Sequence, residues 1–188
     1  HSDPESLDKR LRRLGDRASK ALVAIEGLYS ILGDYPDLSE FCDVCEKYGA
    51  MLLVDEAHSL GTMGENGRGL SEHNGVLDRV DFIVGTFSKS LGATGGYCVS
   101  RHKELALFRY SSRPFIFTAS PCPSVVATTR AALKLLREQP ERREKLWASA
   151  TRLYNGLKAK GLTLGPQASP VVAVRCDSAE YALSVWHR

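Results

Sequence analysis

Three short apolar runs constrain this fold more than any other feature of the chain. Residues 21–26, 51–54 and 80–84 are each of strand length, and polar or glycine-rich sequence follows each one directly. Helical spacing fills residues 5–14 before the first run and 38–48 between the first and second. Buried strands alternating with helices favour a parallel α/β sheet. Asp37 or Ser39 caps the second helix and Gly49 stops it. Residues 55–74 read as a long loop punctuated by Gly61, Gly64, Gly67 and Gly69, with Gly75 just beyond. A loop is expected over 85–96, a fourth strand over 96–100, helical turns over 102–110 and an extended segment at 115–117. Two helices, 124–138 and 141–160, flank Pro140. Past Gly161 the texture changes, with Pro166 and Pro170 around a loop and a further strand at 171–174. A domain boundary is therefore placed within 140–160, with a large domain over 1–150 and the start of a smaller one over 151–188.

Composition narrows the classes of function. The chain has 188 residues, 43% of them apolar, with 25 Lys+Arg against 22 Asp+Glu and a formal charge of +3. That is ordinary globular composition, unlike a disordered tail or a coiled coil. The densest basic cluster runs from Lys9 to Arg13, with Arg17 and Lys20, and alternates with Leu7, Leu11 and Leu14 at helical spacing. It reads as the solvated face of an amphipathic helix, and no nucleic-acid partner is expected. No apolar run approaches the roughly 18–20 residues of a membrane span. Cys42 and Cys45 form a C-x-x-C in mid-helix, whereas a redox pair needs a helix N-terminus and a zinc site a second ligand pair. They are expected to be packing residues, and reduced thiols suggest a cytoplasmic setting. The chain starts at His1 without an initiator Met or a signal-peptide pattern, and is expected to begin inside a longer protein.

The chemistry concentrates between residues 51 and 100. In open α/β sheets ligands gather at the carboxyl ends of strands. Asp55 directly follows an apolar strand, so its carboxylate needs a cation, a donor or a turn to cap. His58 lies three residues on. Lys89, flanked by Ser88 and Ser90 with Thr86 upstream, suits either phosphate binding or service as an amine nucleophile. The spacing is not that of a P-loop. A third strand end, at Glu26 and Gly27, leads to Ser30. Asp55 and His58 precede Lys89 by 34 and 31 residues, each at a strand end. A carboxylate for a ring nitrogen, hydroxyls for a phosphate and an amine for an aldehyde are what pyridoxal 5'-phosphate requires.

At these residues the chain resembles the α-oxoamine synthases, which belong to the fold-type I pyridoxal-phosphate enzymes. LVDEAHSLGTMGENGRG, VDFIVGTFSKSLGATGGYCVS and SRPFIFTASPCPSVVA carry the resemblance, which runs through essentially the whole chain. GTFSKS, GGYCVS and RPFIFTAS are most similar to the branch that joins L-serine to palmitoyl-CoA, giving 3-ketodihydrosphingosine for sphingolipid synthesis. Glycine C-acetyltransferases, 8-amino-7-oxononanoate synthases and 5-aminolevulinate synthases remain alternatives. A non-catalytic homologous subunit would lack the lysine that Lys89 supplies.

The resemblance implies the central part of the family's large domain, a mostly parallel sheet flanked by helices, and the start of its small domain. It implies pyridoxal phosphate as cofactor, amino acid (serine or glycine) and acyl-CoA as substrates, and a homodimer. Lys89 matches the lysine that bonds the cofactor aldehyde, and Asp55 the carboxylate paired with the ring nitrogen. His58 matches the histidine near the phenolic oxygen, and Thr86 a phosphate-binding hydroxyl that Ser88 assists. Ser30 matches a serine after the earlier strand, while Thr118 and Ser120 resemble a segment that reaches the neighbouring subunit's phosphate. No metal is implied. Family members are about twice this long. Their cofactor-stacking histidine and glycine-rich phosphate turn would lie before His1, and their substrate-binding arginine after Arg188. The 188 residues alone are expected to bind cofactor weakly and not to turn over.

Overall fold

In a computed structural model describing residues 1–187, the chain divides into two units, one of His1–Leu28 with Tyr35–Pro140 and one of Tyr29–Asp34 with Glu141–Arg188. The first unit opens with helix α1 (Pro4–Leu14), capped by Asp3, whose carboxylate accepts from the Ser6 N–H at 2.9 Å. Strand β1 (Leu22–Glu26), helix α2 (Leu38–Tyr48), strand β2 (Met51–Asp55), the single turn α3 (Leu70–His73), and strands β3 (Phe82–Thr86) and β4 (Gly96–Ser100) follow. Two short helices, α4 (Phe108–Ser111) and α5 (Arg113–Ile116), lead to the long helix α6 (Pro123–Glu138).

The four strands lie in the order β1-β2-β3-β4. β1 and β2 run parallel with Glu26 beside Asp55, and β2 and β3 run parallel with Asp55 beside Val84. Their three carboxyl ends therefore share one sheet edge. β4 instead returns antiparallel to β3, pairing Gly85 with Tyr97. The two thus form a hairpin rather than a fourth parallel strand.

The sheet buries one face. Leu52 and Val54 are 1% and 0% exposed, while Leu22, on the opposite face, is 52% exposed. Helix α2 packs on β2 from the buried side and α1 packs on α2. Leu38, Phe41, Cys42 and Cys45 recur at helical spacing and are all buried, and each fully buried leucine stabilises by about 2 kcal/mol. Of the two expected caps, Asp37 is the one used, accepting from the Ser39 N–H at 2.9 Å. Gly49 closes the helix in the left-handed region at φ 66°. Burial pushes the Cys45 thiol up to about 12 and raises Cys42 as well. Both thiols are free, and thiols so raised are poor nucleophiles, as packing residues should be.

The second unit holds helices α7 (Glu141–Ala159) and α8 (Ala179–Trp186). Ala150 and Tyr154 of α7 are buried, and the Tyr154 hydroxyl donates to the Gly165 carbonyl at 2.8 Å. Gly33 sits at φ +71°, and a Cβ there would stand 2.7 Å from the Ser169 hydroxyl oxygen. This close approach keeps the 29–34 turn with the second unit.

Four local expectations need correction. Residues 115–117 are not extended. Ser112 accepts from the amide of Ile116 and Arg113 from that of Phe117, both at 3.0 Å, closing the helical turn α5, with Pro114 in its first positions. Proline suits a first helical turn, which outweighs the β-preference of Phe115 and Phe117. Residues 171–174 form no strand beyond one bridge between Leu164 and Val174, since Pro166 and Pro170 interrupt any longer ladder. The third strand begins at Phe82 rather than Val80, because Asp81 turns in to accept the Leu52 N–H at 2.8 Å. The long loop over 55–74 contains α3.

Candidate active site

The site builds outward from the ends of β2 and β3. At the end of β2, Asp55 is half-buried and one of its oxygens accepts from the Ala57 N–H at 2.9 Å, so it does cap the turn that follows. The next residue is Glu56, which is fully buried. Its amide continues the ladder to the Val84 carbonyl at 2.8 Å. Its side chain takes donors from two segments. Oε2 accepts from the Ser59 hydroxyl and from the Leu70 N–H at 2.8 Å. Oε1 accepts from the Ser71 N–H at 2.8 Å and the Ser71 hydroxyl at 2.6 Å. A buried carboxylate without a cation is costly unless donors fill its oxygens, and here both oxygens are filled. His58 lies within this turn, half-buried, and the Thr62 hydroxyl donates to its carbonyl at 2.9 Å.

At the end of β3 the chain makes a loop over residues 87–95 before returning as β4. Lys89 is exposed on it. The Thr86 hydroxyl holds the loop. It accepts from the Ser88 N–H at 3.1 Å, donates to the Gly95 carbonyl at 3.1 Å, and lies 2.8 Å from the Ser88 hydroxyl. Beside the loop a cavity of about 410 Å³ is lined by Ser88, Ala93, Thr94, Ser124 and Thr128.

The two loops meet. A Cβ on Gly61, at φ +81°, would stand 2.7 Å from the Cβ of Ser90, the residue after Lys89. Only a glycine lets the His58 turn come this close to the lysine loop. Asp55, His58, Thr86, Ser88 and Lys89 thus gather at one sheet edge. Ser30 falls in an exposed turn of the second unit, and Thr118 and Ser120 lie on an exposed segment after α5.

Two residues of this site escaped the sequence reading. Glu56 looked like one more polar residue of a loop; its signal was the pair Gly27 and Gly69, both of which leave no room for a Cβ against its carboxylate. Tyr97 lies across Gly85, where a Cβ would stand 2.6 Å from its hydroxyl, and stacks on Phe87 at 6.0 Å between centroids. Burial, with the nearby Glu56 and Asp55 carboxylates, pushes the Tyr97 phenol up to about 12. Among the described residues no group of His, Cys, Asp and Glu is placed to hold a metal ion. No helix among them is long and apolar enough to cross a membrane.

The sequence matches the aminotransferase class I and II family over residues 1–187. It is 52% identical to a serine palmitoyltransferase of Caulobacter vibrioides over 187 residues, 100% of this chain and 46% of that protein. It is 39% identical to an 8-amino-7-oxononanoate synthase of Anaeromyxobacter dehalogenans, over 98% of this chain and 46% of that protein. Among solved structures, the serine palmitoyltransferase of S. paucimobilis with a bound PLP–myriocin aldimine superposes with a TM-score of 0.94 at 48% identity, covering 99% of this chain and 48% of that one. The chain spans about half the length of the curated relatives it matches.

Proposed function

The chain belongs to the aminotransferase class I and II family, and from that premise we propose that it is part of a pyridoxal-phosphate enzyme that condenses an amino acid with an acyl-CoA and releases carbon dioxide. The substrates proposed are L-serine and palmitoyl-CoA, giving 3-ketodihydrosphingosine. The 52% identity to a serine palmitoyltransferase, against 39% to an 8-amino-7-oxononanoate synthase, supports that choice. The first unit corresponds in this reading to the cofactor-binding large domain, and α7 opens the smaller one. The whole protein works as a cytoplasmic homodimer.

The observation that carries the reading is the contact of the Gly61 turn with Ser90, which brings the Asp55–His58 segment against the lysine loop. The donor set fits the cofactor. Asp55 offers a carboxylate oxygen to a protonated ring nitrogen, and Lys89 an exposed amine to an aldehyde. Ser88 and Thr94 line a hydroxyl-rich cavity of a size to take a phosphate. The cofactor, when bound, supplies an electron sink for charge developing at the amino acid's Cα.

The protein's own residues do the rest. Asp55 keeps the ring nitrogen protonated and its β2 backbone fixes where that proton sits. The Lys89 Nζ takes the proton from Cα and later returns one, a general base and then a general acid. His58 donates from its ring to the substrate carboxylate or the phenolic oxygen and so orients the reacting centre. The Thr86 hydroxyl holds the 87–95 loop, with Ser88 beside it, so that Lys89 stays within reach.

Product analysis of the full-length protein tests the assignment, with serine, glycine and alanine each offered against long- and short-chain acyl-CoA. Release of the long-chain aminoketone from serine is the expected result. Turnover with glycine and acetyl-CoA alone would replace serine palmitoyl transfer by the glycine C-acetyltransferase reaction. Product from alanine and pimeloyl-CoA alone would indicate 8-amino-7-oxononanoate synthesis.

A further inference from the structure

We propose that Glu56 is a positioning residue of this site: its buried carboxylate fixes the His58 turn, and with it the neighbouring Asp55, against the loop that carries Lys89. The proposal rests on the reading that the site holds pyridoxal phosphate. Glu56 touches none of the groups assigned to the cofactor, and it acts through the residues on either side of it.

The argument starts from the two directions in which Glu56 is held. Its main chain belongs to the sheet end, with its amide on the Val84 carbonyl and its carbonyl accepting from the Leu60 N–H at 2.8 Å and the Ser59 N–H at 3.2 Å. Its side chain belongs to the far end of the same loop, at Leu70 and Ser71. One residue therefore closes the loop from β2 to α3 upon itself, and the Ser59 hydroxyl ties the His58 turn into the closure. His58 lies between the two residues of that last bond. The glycines confirm how close the packing is, since Gly27 at the end of β1 and Gly69 before α3 both approach the carboxylate where a Cβ would not fit. Strand ends β1 and β2 and the start of α3 thus converge on this one carboxylate.

Chemistry explains why the residue is an acid and not an amide. Each oxygen receives one backbone N–H and one hydroxyl. A glutamine is nearly the same shape, yet whichever way it turns, its NH₂ faces a backbone N–H that cannot accept. The backbone donors cannot rotate away, so the loop has to move. Purely structural support would be felt as lost stability alone. A positioning role is felt at the cofactor.

The test uses the full-length protein, stripped of cofactor and titrated with pyridoxal phosphate, with the visible band and the dissociation constant as readouts and thermal unfolding measured in parallel. Glu56→Gln is expected to weaken cofactor binding about tenfold, the scale of one lost hydrogen bond to a charged group, at a temperature where the variant is fully folded. Ser59→Ala and Ser71→Ala each remove one hydroxyl from the same carboxylate, on the His58 side and the α3 side respectively. They keep the question answerable if Glu56→Gln fails to fold. Ser59→Ala is expected to weaken cofactor binding more than Ser71→Ala at a similar loss of melting temperature. Wild-type affinity in Glu56→Gln, or equal affinities in the two serine variants, would overturn the positioning role and leave the cofactor reading intact. A wild-type protein that develops no visible band with pyridoxal phosphate would overturn both.

Discussion

The loops that leave β2 and β3 start side by side at one sheet edge, yet they are built in opposite ways. The first is wired inward. Glu56, Ser59, Leu70 and Ser71 are all buried, and the loop closes around one carboxylate. The second is tied at its base by the Thr86 hydroxyl and by backbone bonds of Phe87 with Gly95 and Ala93, and although Leu91 is buried, Ser88, Lys89 and Ser90 are exposed. The difference matches the roles proposed for each. In the proposed reading Asp55 and His58 hold atoms in place, which a buried, satisfied network beside them does well. The same reading has Lys89 bond, release and carry a proton, and a side chain exposed on its loop keeps the freedom to do so.

Substitutions can break that contrast or sharpen it. The largest effect on activity is expected from Lys89→Ala in the full-length protein. Turnover should fall by at least the 10²–10⁴-fold typical of losing a general base, and the visible band of bound cofactor should vanish. Stability of the cofactor-free protein should change by less than about 0.5 kcal/mol, as for most exposed positions. A large loss of melting temperature in this variant would show the second loop to be structural after all.

Glu56→Ala should do the reverse on stability, leaving four donors without an acceptor. A cost of about 3 kcal/mol is expected, read as a lower urea midpoint at an unchanged slope. A cost below about 0.5 kcal/mol, within the surface range, would place the two loops on the same footing. Thr86→Val should cost about 1 kcal/mol, the net worth of an ordinary hydrogen bond. It should also speed hydrogen exchange at the Ser88 amide, while the Leu70 and Ser71 amides stay protected. The smallest effect belongs to Tyr97. In an alkaline absorbance titration its phenol should ionise near 12 rather than near the usual 10, and Tyr97→Phe should remove that late step alone. A titration without a late step would mean that the Tyr97 ring is less buried against Gly85 than the structure has it.

Much of this arrangement was legible in the sequence, for identifiable reasons. Strand β2 is apolar until it reaches Asp55, so both the strand and the residue that ends it stand out. Helix α2 carries apolar residues at 38, 41, 42 and 45 between an aspartate cap and a glycine stop, which leaves little else it could form. Lys89 announced itself by its hydroxyl neighbours. What could not be read depends on partners far along the chain. Glu56 becomes the centre of the loop only because Leu70 and Ser71, 14 and 15 residues later, turn their amides toward it. The reversal of β4 is set by its pairing with β3, and the short connection over residues 87–95, below the dozen or so residues of a parallel crossover, was the signal for it. Residues 115–117 misled because two phenylalanines favour strands, whereas Pro114, in the first turn of α5, decided the outcome.

The β3–β4 hairpin has a consequence for how chains of this kind can vary in length. Both feet of the lysine loop stand on one antiparallel ladder, from Thr86 opposite Gly96 to Phe82 opposite Ser100. An added or deleted residue between them cannot be absorbed by a distant connection. It must either bulge the loop against the Gly61 turn or slide the ladder, by about 3.4 Å for each residue of slip, with alternate side chains changing face. Tyr97 would then leave Gly85, and Ser90 would leave the Gly61 turn. Insertions should therefore be tolerated around residues 101–112, where the chain is exposed beyond β4, and excluded from 87–95, where loop length itself acts as the ruler between Ser90 and the Gly61 turn.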